Sequence, residues 1–306
     1  MNIAVIDIGT NTVLLLVAHI DASGAITPLA CEQRVPRLGK DVDDRKNLDP
    51  ESMQRVVNVL SGYRDLIGQF DVVATVVAGT SAVRDARNKE EFAFLINQQT
   101  GFDLEVLSGN DEALLTYRGG ISGIPSVHHA TVVDIGGGST EVSAGTGTTI
   151  TRRTSIDVGS VRLTERYFRH DPPSAAELRQ AETALASGLE EIREFHRQDA
   201  VLIGVAGTAT SLAILDQGLK EFSIDAVSGY RLQRTCVERL CATLETMNAA
   251  EILALSAVME GRSDVMIAGA MILRGIMQTF GTAEILVSER GVRYGLALRE
   301  WERRNR

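Results

Sequence analysis

Apolar residues near the start of the chain fall in two blocks, IAVI before Asp7 and VLLLVA from Val13, separated by the polar turn at residues 9–12. Runs rich in β-branched residues and bounded by a glycine turn predict two buried strands joined as a hairpin. The pattern returns as ATVVDIGGGSTEVSAG, with Asp134 in the place of Asp7 and alternating residues from Glu141 onward. This repeat predicts two similar halves. In a P-loop or Rossmann unit the glycine turn leads into a helix instead. Neither G-x-x-x-x-G-K-[ST] nor G-x-G-x-x-G occurs here.

Between the hairpins the periodicity changes. Asp49 is an N-cap with Pro50 at the first helical position, and Met53, Val56, Val57, Leu60, Tyr63, Ile67 and Phe70 recur at helical spacing. A strand over 72–77, a helical stretch over 80–100, a strand over 102–107 and a helix beginning at SGNDEA follow. Such alternation after a hairpin predicts a mixed sheet flanked by helices. Glycines and a proline interrupt both periods in GGISGIPSVHH, residues 119–129, which marks a linker. Past the second hairpin, DVGSVRLTERYF reads as a strand edge entering a helix. Ser174 and Glu177 form a capping box for a helix reaching to about residue 198. VLIGVAGTATSLAIL predicts a buried strand, a small-residue turn and a helix. Residues 233–280 are mostly helical with a break at Gly261, and ILVSERGVRYGLAL supplies a last strand and helix.

Composition narrows the function. The 306 residues carry 31 Lys and Arg against 40 Asp and Glu, a formal net charge of −9, with 5% aromatics and one Trp. A general nucleic-acid binder needs a cationic field and aromatic platforms, so that class is excluded and any polyanionic ligand must rely on a local basic cluster. With 44% apolar and 23% charged residues, a globular protein of two domains is expected. Cys31, Cys236 and Cys241 form no C-x-x-C and the five histidines no H-E-x-x-H, so neither a disulfide framework nor a zinc site is read. Packing or surface roles are expected of them. The opening residues place Asp7 where a signal peptide would be apolar, and the apolar run at 13–18 is far below the roughly 20 residues of a membrane span. A soluble, cytoplasmic protein is expected, with no membrane partner.

A turn of Gly, Thr, Asn and Ser exposes backbone N–H groups beside hydroxyl and amide side chains, an arrangement suited to phosphate oxygens. A single Asp-Ile-Gly is often no more than an Asp-stabilised hairpin turn, but two in equivalent contexts point to phosphate. Asp7 and Asp134 at the strand ends would repel a bound phosphate, a conflict that a divalent cation resolves. Glu141 is a third candidate carboxylate, or else a solvated strand acid. Arg84 follows the small-residue turn at 79–82 and is read as a phosphate ligand over a solvated cationic face. Arg34, Arg37 and Lys40, with Arg45 and Lys46 after them, form a dense cationic patch that either guides a polyanionic tail or is a solvated loop. Gly204, Gly207, Thr208 and Thr210 permit close approach, either of a ligand or of a helix to a strand. Arg290 and Arg293 either reach the ligand or cap the last helix.

DIGTNT at 7–12, GTSAVRDARN at 79–88, SGNDEA at 108–113, DIGGGSTE at 134–141, GSVRLTE at 159–165, GVAGTATSLA at 204–213 and SERGVRYG at 288–295 occur in this order. Together they resemble the exopolyphosphatase and guanosine pentaphosphate phosphohydrolase family of the actin/hexokinase/Hsp70-like superfamily, over nearly the whole chain. The resemblance implies an α/β fold of two actin-like (ribonuclease H-like) domains, each a mixed five-stranded sheet flanked by helices, with an interdomain cleft. The domains would be 1–124 and 125–306, with a C-terminal helix of about 295–306 packing back on the first. It also implies that Glu112 is the catalytic glutamate, with Glu141 and Arg84 in catalytic roles. It carries phosphate binding onto Gly9, Thr10, Asn11, Gly136, Gly138 and Ser139, and the turn with Gly207 and Thr208 would approach the substrate; Arg37 of the cationic patch is a further substrate candidate, and Asp7, Asp134 and Glu141 are the candidates for a metal, Mg²⁺ or Mn²⁺. Without the resemblance, Glu112 reads as a first-turn helix acid that complements the dipole. Lys40, Asp41, Asp43 and Asp44 depart from the glycine-rich stretch that the family more often has there.

The expected activity is release of terminal orthophosphate from inorganic polyphosphate, by in-line attack of a water positioned by Glu112. The alternative is 5′-phosphohydrolysis of guanosine pentaphosphate. A small-molecule kinase of the same superfamily is more distant, since no sugar-kinase signature accompanies the hairpins, and a nucleotide-responsive binding protein without turnover is disfavoured by the acids present. A homodimer is expected of a chain of this size.

Overall fold

The computed structural model describes residues 1–124 and 127–305. The chain divides into two compact units, Met1–Leu115 with Val292–Arg306, and Thr116–Gly291. The boundary read from sequence, 124/125, falls at Pro125, which with Ser126 and part of the expected linker lies outside the described residues.

In the first unit, β1 (Asn2–Ile8), β2 (Val13–Ile20) and β3 (Ile26–Arg34) form an antiparallel meander. After α1 (Val42–Arg45) and α2 (Pro50–Ile67), β4 (Val72–Gly79) pairs parallel to β1. Then α3 (Ser81–Asp85), α4 (Lys89–Thr100) and β5 (Leu104–Val106) follow, β5 parallel to β4, before α5 (Gly109–Ile121). The sheet order is β3-β2-β1-β4-β5. β1 is buried on both faces because its alternate residues serve two cores. Ala4, Ile6 and Ile8 pack with Met53, Val56, Val57 and Leu60 of α2, while Ile3 and Val5 pack with Leu115, Tyr294, Leu296 and Ala297. The start of α2 is fixed as the sequence predicts, with Asp49 accepting from the Ser52 N–H at 3.0 Å and Pro50 at the first position.

The second unit repeats the plan. β6 (His129–Ile135), β7 (Thr140–Thr146) and β8 (Thr149–Ile156) form the meander, followed by α6 (Ser160–Tyr167) and α7 (Ala175–Glu190). β9 (Val201–Val205) pairs parallel to β6 and leads into α8 (Ala206–Asp216) and α9 (Ile224–Val227). β10 (Arg231–Gln233), α10 (Arg234–Leu244), α11 (Ala249–Leu253), α12 (Met266–Phe280) and β11 (Glu284–Val287) complete the unit, and α13 (Val292–Arg304) returns to the first. The order is β10-β11-β9-β6-β7-β8, so the second sheet has six strands instead of the five expected. The extra strand is the three-residue β10, antiparallel to β11 at the edge.

Three local differences from the sequence reading have physical causes. The helical stretch at 80–100 breaks at Ala86, which is extended (φ −79°, ψ 137°) next to Arg87, whose N–H bonds Lys46 O. α7 stops at Glu190, short of 198, and a 3₁₀ turn at Arg193–Phe195 carries the chain on to β9. The hairpins are also the first two strands of three-stranded meanders. Among the described residues no helix is long and apolar enough to cross a membrane.

Candidate active site

In the first unit Asp7 lies in the last turn-facing part of β1, followed by a loop that closes on itself through Gly9 N–H to Thr12 O, 2.9 Å. The outward carbonyls of this turn are occupied by the next segment, with Gly39 N–H bonding Thr10 O at 2.8 Å and Arg37 N–H bonding Asn11 O at 3.1 Å. A Cβ on Gly39 would stand 2.3 Å from Thr10 Cγ2, so the chain approaches this closely because residue 39 is glycine. Arg37 itself takes a left-handed φ of 55°. The expected substrate residues Gly9, Thr10, Asn11 and Arg37 are thereby brought together. Of the other cations in that patch, Arg34 pairs with Glu32, Arg45 with Asp41 and Lys46 with Asp43. Lys40 is exposed.

Glu112 and Arg84, 28 residues apart in sequence, meet in the same unit. Arg84 Nη1 donates to Glu112 Oε2 at 2.7 Å and to Leu107 O at 3.2 Å. The short α3 is fixed to the first strand by Thr80 N–H to Ile8 O, 3.1 Å, which sets Arg84 one turn later. Glu112 stands in the first turn of α5, where Ser108 O accepts its N–H and Ser108 Oγ caps Asp111 N–H at 3.1 Å. Glu112 is 7% exposed. A carboxylate this buried is stable only with a charged or hydrogen-bonding partner, and the guanidinium provides it. Arg84 therefore holds Glu112, a contact that its sequence reading as a phosphate ligand did not include.

In the second unit the turn at 136–139 closes through Gly136 N–H to Ser139 O, 3.0 Å. Its carbonyls receive the start of α6, with Ser160 N–H on Gly136 O and both Val161 and Arg162 N–H on Gly137 O. A Cβ on Gly159 would lie 2.4 Å from Gly137 O. Asp134 and Glu141 are directly opposed across β6 and β7, at 9% and 2% exposure. Ser139 Oγ and Ser155 Oγ each donate to Glu141 Oε1 at 2.7 Å. The position of Glu141 in the first repeat is Leu14, opposite Asp7, so only the second turn carries an acidic pair.

Like charges directly opposite on a sheet are destabilising, and two such buried carboxylates fit a cation held between acid oxygens. Among the described residues no three His, Cys, Asp or Glu side chains converge as a preformed metal cage. An ion such as Mg²⁺ or Mn²⁺ is bound through one or two carboxylates together with water and substrate oxygens, a donor set that the Asp134–Glu141 pair fits. Asp134 and Glu141, both in the second unit, would hold such an ion, and Asp7 ends the equivalent strand of the first unit.

The β9–α8 turn is strained and tightly packed. Ala206 has a left-handed φ of 63°. Arg262 Nη1 donates to Gly207 O at 3.2 Å and Ser211 Oγ at 3.1 Å, and a Cβ on Gly207 would stand 2.5 Å from that nitrogen. Burial holds the Arg262 guanidinium below its ordinary pKa. Thr208 Oγ1 donates to Ile135 O at 3.3 Å, tying the turn to the end of β6. The sequence reading missed Arg262, whose sole mark is being a cation between apolar helical stretches. Arg293 Nη1 bonds Leu15 O and Arg290 Nη1 bonds Ser122 O, so both arginines hold backbone carbonyls. Cys236 and Cys241 are free thiols, and burial pushes that of Cys241 up.

The Ppx/GppA phosphatase family matches residues 16–304. The chain belongs to that family. Among similar Ppx/GppA proteins, exopolyphosphatase 2 of Mycobacterium tuberculosis is 32% identical, with 97% of each chain aligned. A guanosine-5′-triphosphate,3′-diphosphate pyrophosphatase of Vibrio atlanticus is 30% identical over 96% of this chain and 58% of its own length. The crystal structure of the Aquifex aeolicus Ppx/GppA family member is 28% identical, with a TM-score of 0.85 over 100% of this chain and 99% of that one. The fold is accordingly the actin-like fold of the Ppx/GppA proteins, an enzyme family whose relatives named above are phosphoanhydride hydrolases. The family match begins at residue 16, after the first glycine turn, whose hairpin repeats as that of β6 and β7.

Proposed function

We propose that this chain is an exopolyphosphatase that releases terminal orthophosphate from inorganic polyphosphate with water as acceptor. The observation that carries the proposal is the buried Glu112 held by Arg84 at 2.7 Å in a Ppx/GppA chain. Phosphoryl transfer to water has a loose transition state, so the protein must mainly place the water in line and stabilise spreading charge. Glu112 accepts a hydrogen bond from the attacking water and takes its proton as the oxygen bonds to the terminal phosphorus. The bridging P–O bond breaks and the shortened chain leaves as the phosphate anion. Arg84 fixes the carboxylate in one orientation. The turns at 9–12 and 136–139, closed by the N–H groups of Gly9 and Gly136, bind phosphate oxygens through Thr10, Asn11, Gly138 and Ser139, and Arg37, Gly207 and Thr208 contact the remaining chain. Asp7, Asp134 and Glu141 would serve a divalent cation, Mg²⁺ or Mn²⁺, which would supply charge neutralisation.

The alternative substrate is guanosine pentaphosphate, favoured by the 30% identity to the Vibrio atlanticus pyrophosphatase. Polyphosphate ranks first because the exopolyphosphatase relative is the more similar of the two, at 32% against 30% identity. The test is phosphate release with Mg²⁺ from short polyphosphate, long polyphosphate, guanosine pentaphosphate and ATP side by side. Release from polyphosphate that falls by about 10²- to 10⁴-fold in Glu112→Gln is expected. Preferential loss of one phosphate from guanosine pentaphosphate would replace the first reading with the second. Release from none of the four would overturn both.

A further inference from the structure

Glu141 is an unusual residue to find at 2% exposure in the middle of a three-strand meander. Its two strand neighbours differ sharply in chemistry. On β6 the opposed residue is Asp134, a second acid, and on β8 it is Ser155. Ser155 Oγ and Ser139 Oγ both donate to the same carboxylate oxygen, Oε1, at 2.7 Å. One hydroxyl comes from the glycine turn and the other from the far strand, so Glu141 is gripped from two separate backbone segments.

We infer that Ser155 is a positioning residue for the phosphohydrolase reaction. Its hydroxyl, with that of Ser139, locks Glu141 in one rotamer and so fixes the carboxylate that the cation and the substrate phosphate require. The terminal torsion of a glutamate is broad on its own, and donors from two backbone segments on one oxygen narrow it. The partners that orient a metal-ligating carboxylate carry much of its affinity, although they never touch the metal. This inference rests on the assignment of Glu141 made under the proposed function.

The experiment compares wild type, Ser155→Ala, Ser155→Thr, Glu141→Gln and Thr151→Ala. Thr151 lies on the same strand and donates to Ala144 O at 3.1 Å, so its loss removes a hairpin hydrogen bond without touching Glu141. Steady-state phosphate release from polyphosphate is measured together with Mn²⁺ binding by electron paramagnetic resonance in the absence of substrate. Ser155→Ala is expected to lower kcat by about 10- to 100-fold and to weaken Mn²⁺ roughly tenfold, with KM within about twofold. Ser155→Thr restores both, and Thr151→Ala changes neither. If Ser155→Ala retains kcat and Mn²⁺ affinity within about twofold of wild type, or if Thr151→Ala reproduces its losses, the inference is overturned. Should Ser155→Ala not fold, Ser155→Cys takes its place as a weak donor. Weaker Mn²⁺ binding in Cys than in Thr supports the inference and equal binding overturns it.

Failure of the functional reading shows separately, as absence of phosphate release by the wild type. In that case the Mn²⁺ arm still decides. Weakened binding in both Glu141→Gln and Ser155→Ala upholds the grip on Glu141. Wild-type affinity in Ser155→Ala, or no Mn²⁺ binding by the wild type, refutes it.

Discussion

A methyl group added at Gly295 tests whether the position of Glu112 depends on helix packing far from the substrate turns. Gly295 lies on α13 where it crosses α5, and a Cβ there would stand 1.9 Å from the backbone oxygen of Leu115. Real Cβ contacts essentially never fall below 3.0 Å, so in Gly295→Ala the two helices must part by about 1 Å. The obstacle is backbone, so no rotamer change relieves it. Overpacking of this kind costs about 1–3 kcal/mol, which in a chain of this size lowers Tm by roughly 3–10 °C. Leu115 is one turn beyond Glu112 on the same helix, and a 1 Å misplacement of a catalytic group costs on the order of 10² in rate. Gly295→Ala is therefore expected to lower both Tm in a thermal melt and kcat for phosphate release, while KM changes little. Gly62→Ala is the control, since Gly62 is exposed on α2 with nothing within 4 Å of an added Cβ. It should gain about 0.5–1 kcal/mol from helix propensity and leave kcat alone. A Gly295→Ala protein with Tm within about 1 °C and kcat within about twofold of wild type would refute the packing argument.

Two further expectations concern stability. Ala206→Gly relieves a left-handed alanine and should raise Tm by a few degrees, about 1 kcal/mol, and a lower Tm would show that the methyl group makes compensating contacts. His196 is stacked on Phe280 at 5.3 Å and bonded to Thr131, and burial pushes its pKa below 6.5 more strongly than nearby Asp199 raises it. The unfolded chain therefore binds this proton first as pH falls, so the contribution is complete above pH 6.5 and is lost as pH drops through the lower folded value. Between pH 7 and about 5 the Tm of wild type should fall more steeply than that of His196→Asn, and equal slopes would contradict the assignment.

The internal repeat made the core of the fold legible, because β1 and β6 are buried on both faces and so appear as continuous apolar runs ending at Asp7 and Asp134. The third strand of each meander was not legible. β3 and β8 are edge strands exposed along much of their length, with Pro28 in one and Arg152 and Arg153 in the other, and no burial pattern marks them. β10 is too short to show any period. Of the candidate residues, Asp7, Glu112, Asp134 and Glu141 were legible as members of motifs. Their partners were not, since the Arg84–Glu112 pair needs α3 brought next to α5, and Ser155 meets Glu141 through the β7–β8 register. Arg262 comes against Gly207 by tertiary packing alone.

The first unit is made from two separated stretches, and this governs the order in which a newly made chain acquires structure. Ile3, Val5, Leu16 and Leu115 share a core with Val292, Tyr294, Leu296 and Ala297, so the cover of that face of the sheet stays incomplete until α13 leaves the ribosome. At about 5–20 residues per second, roughly 10–35 s separate the synthesis of α5 from that of α13. The second unit, contiguous in sequence, is complete before then. The helix bearing Glu112 thus waits for its packing partner while a finished neighbour emerges behind it, and a chain arrested before α13 would hold a folded second unit beside an unfinished first one.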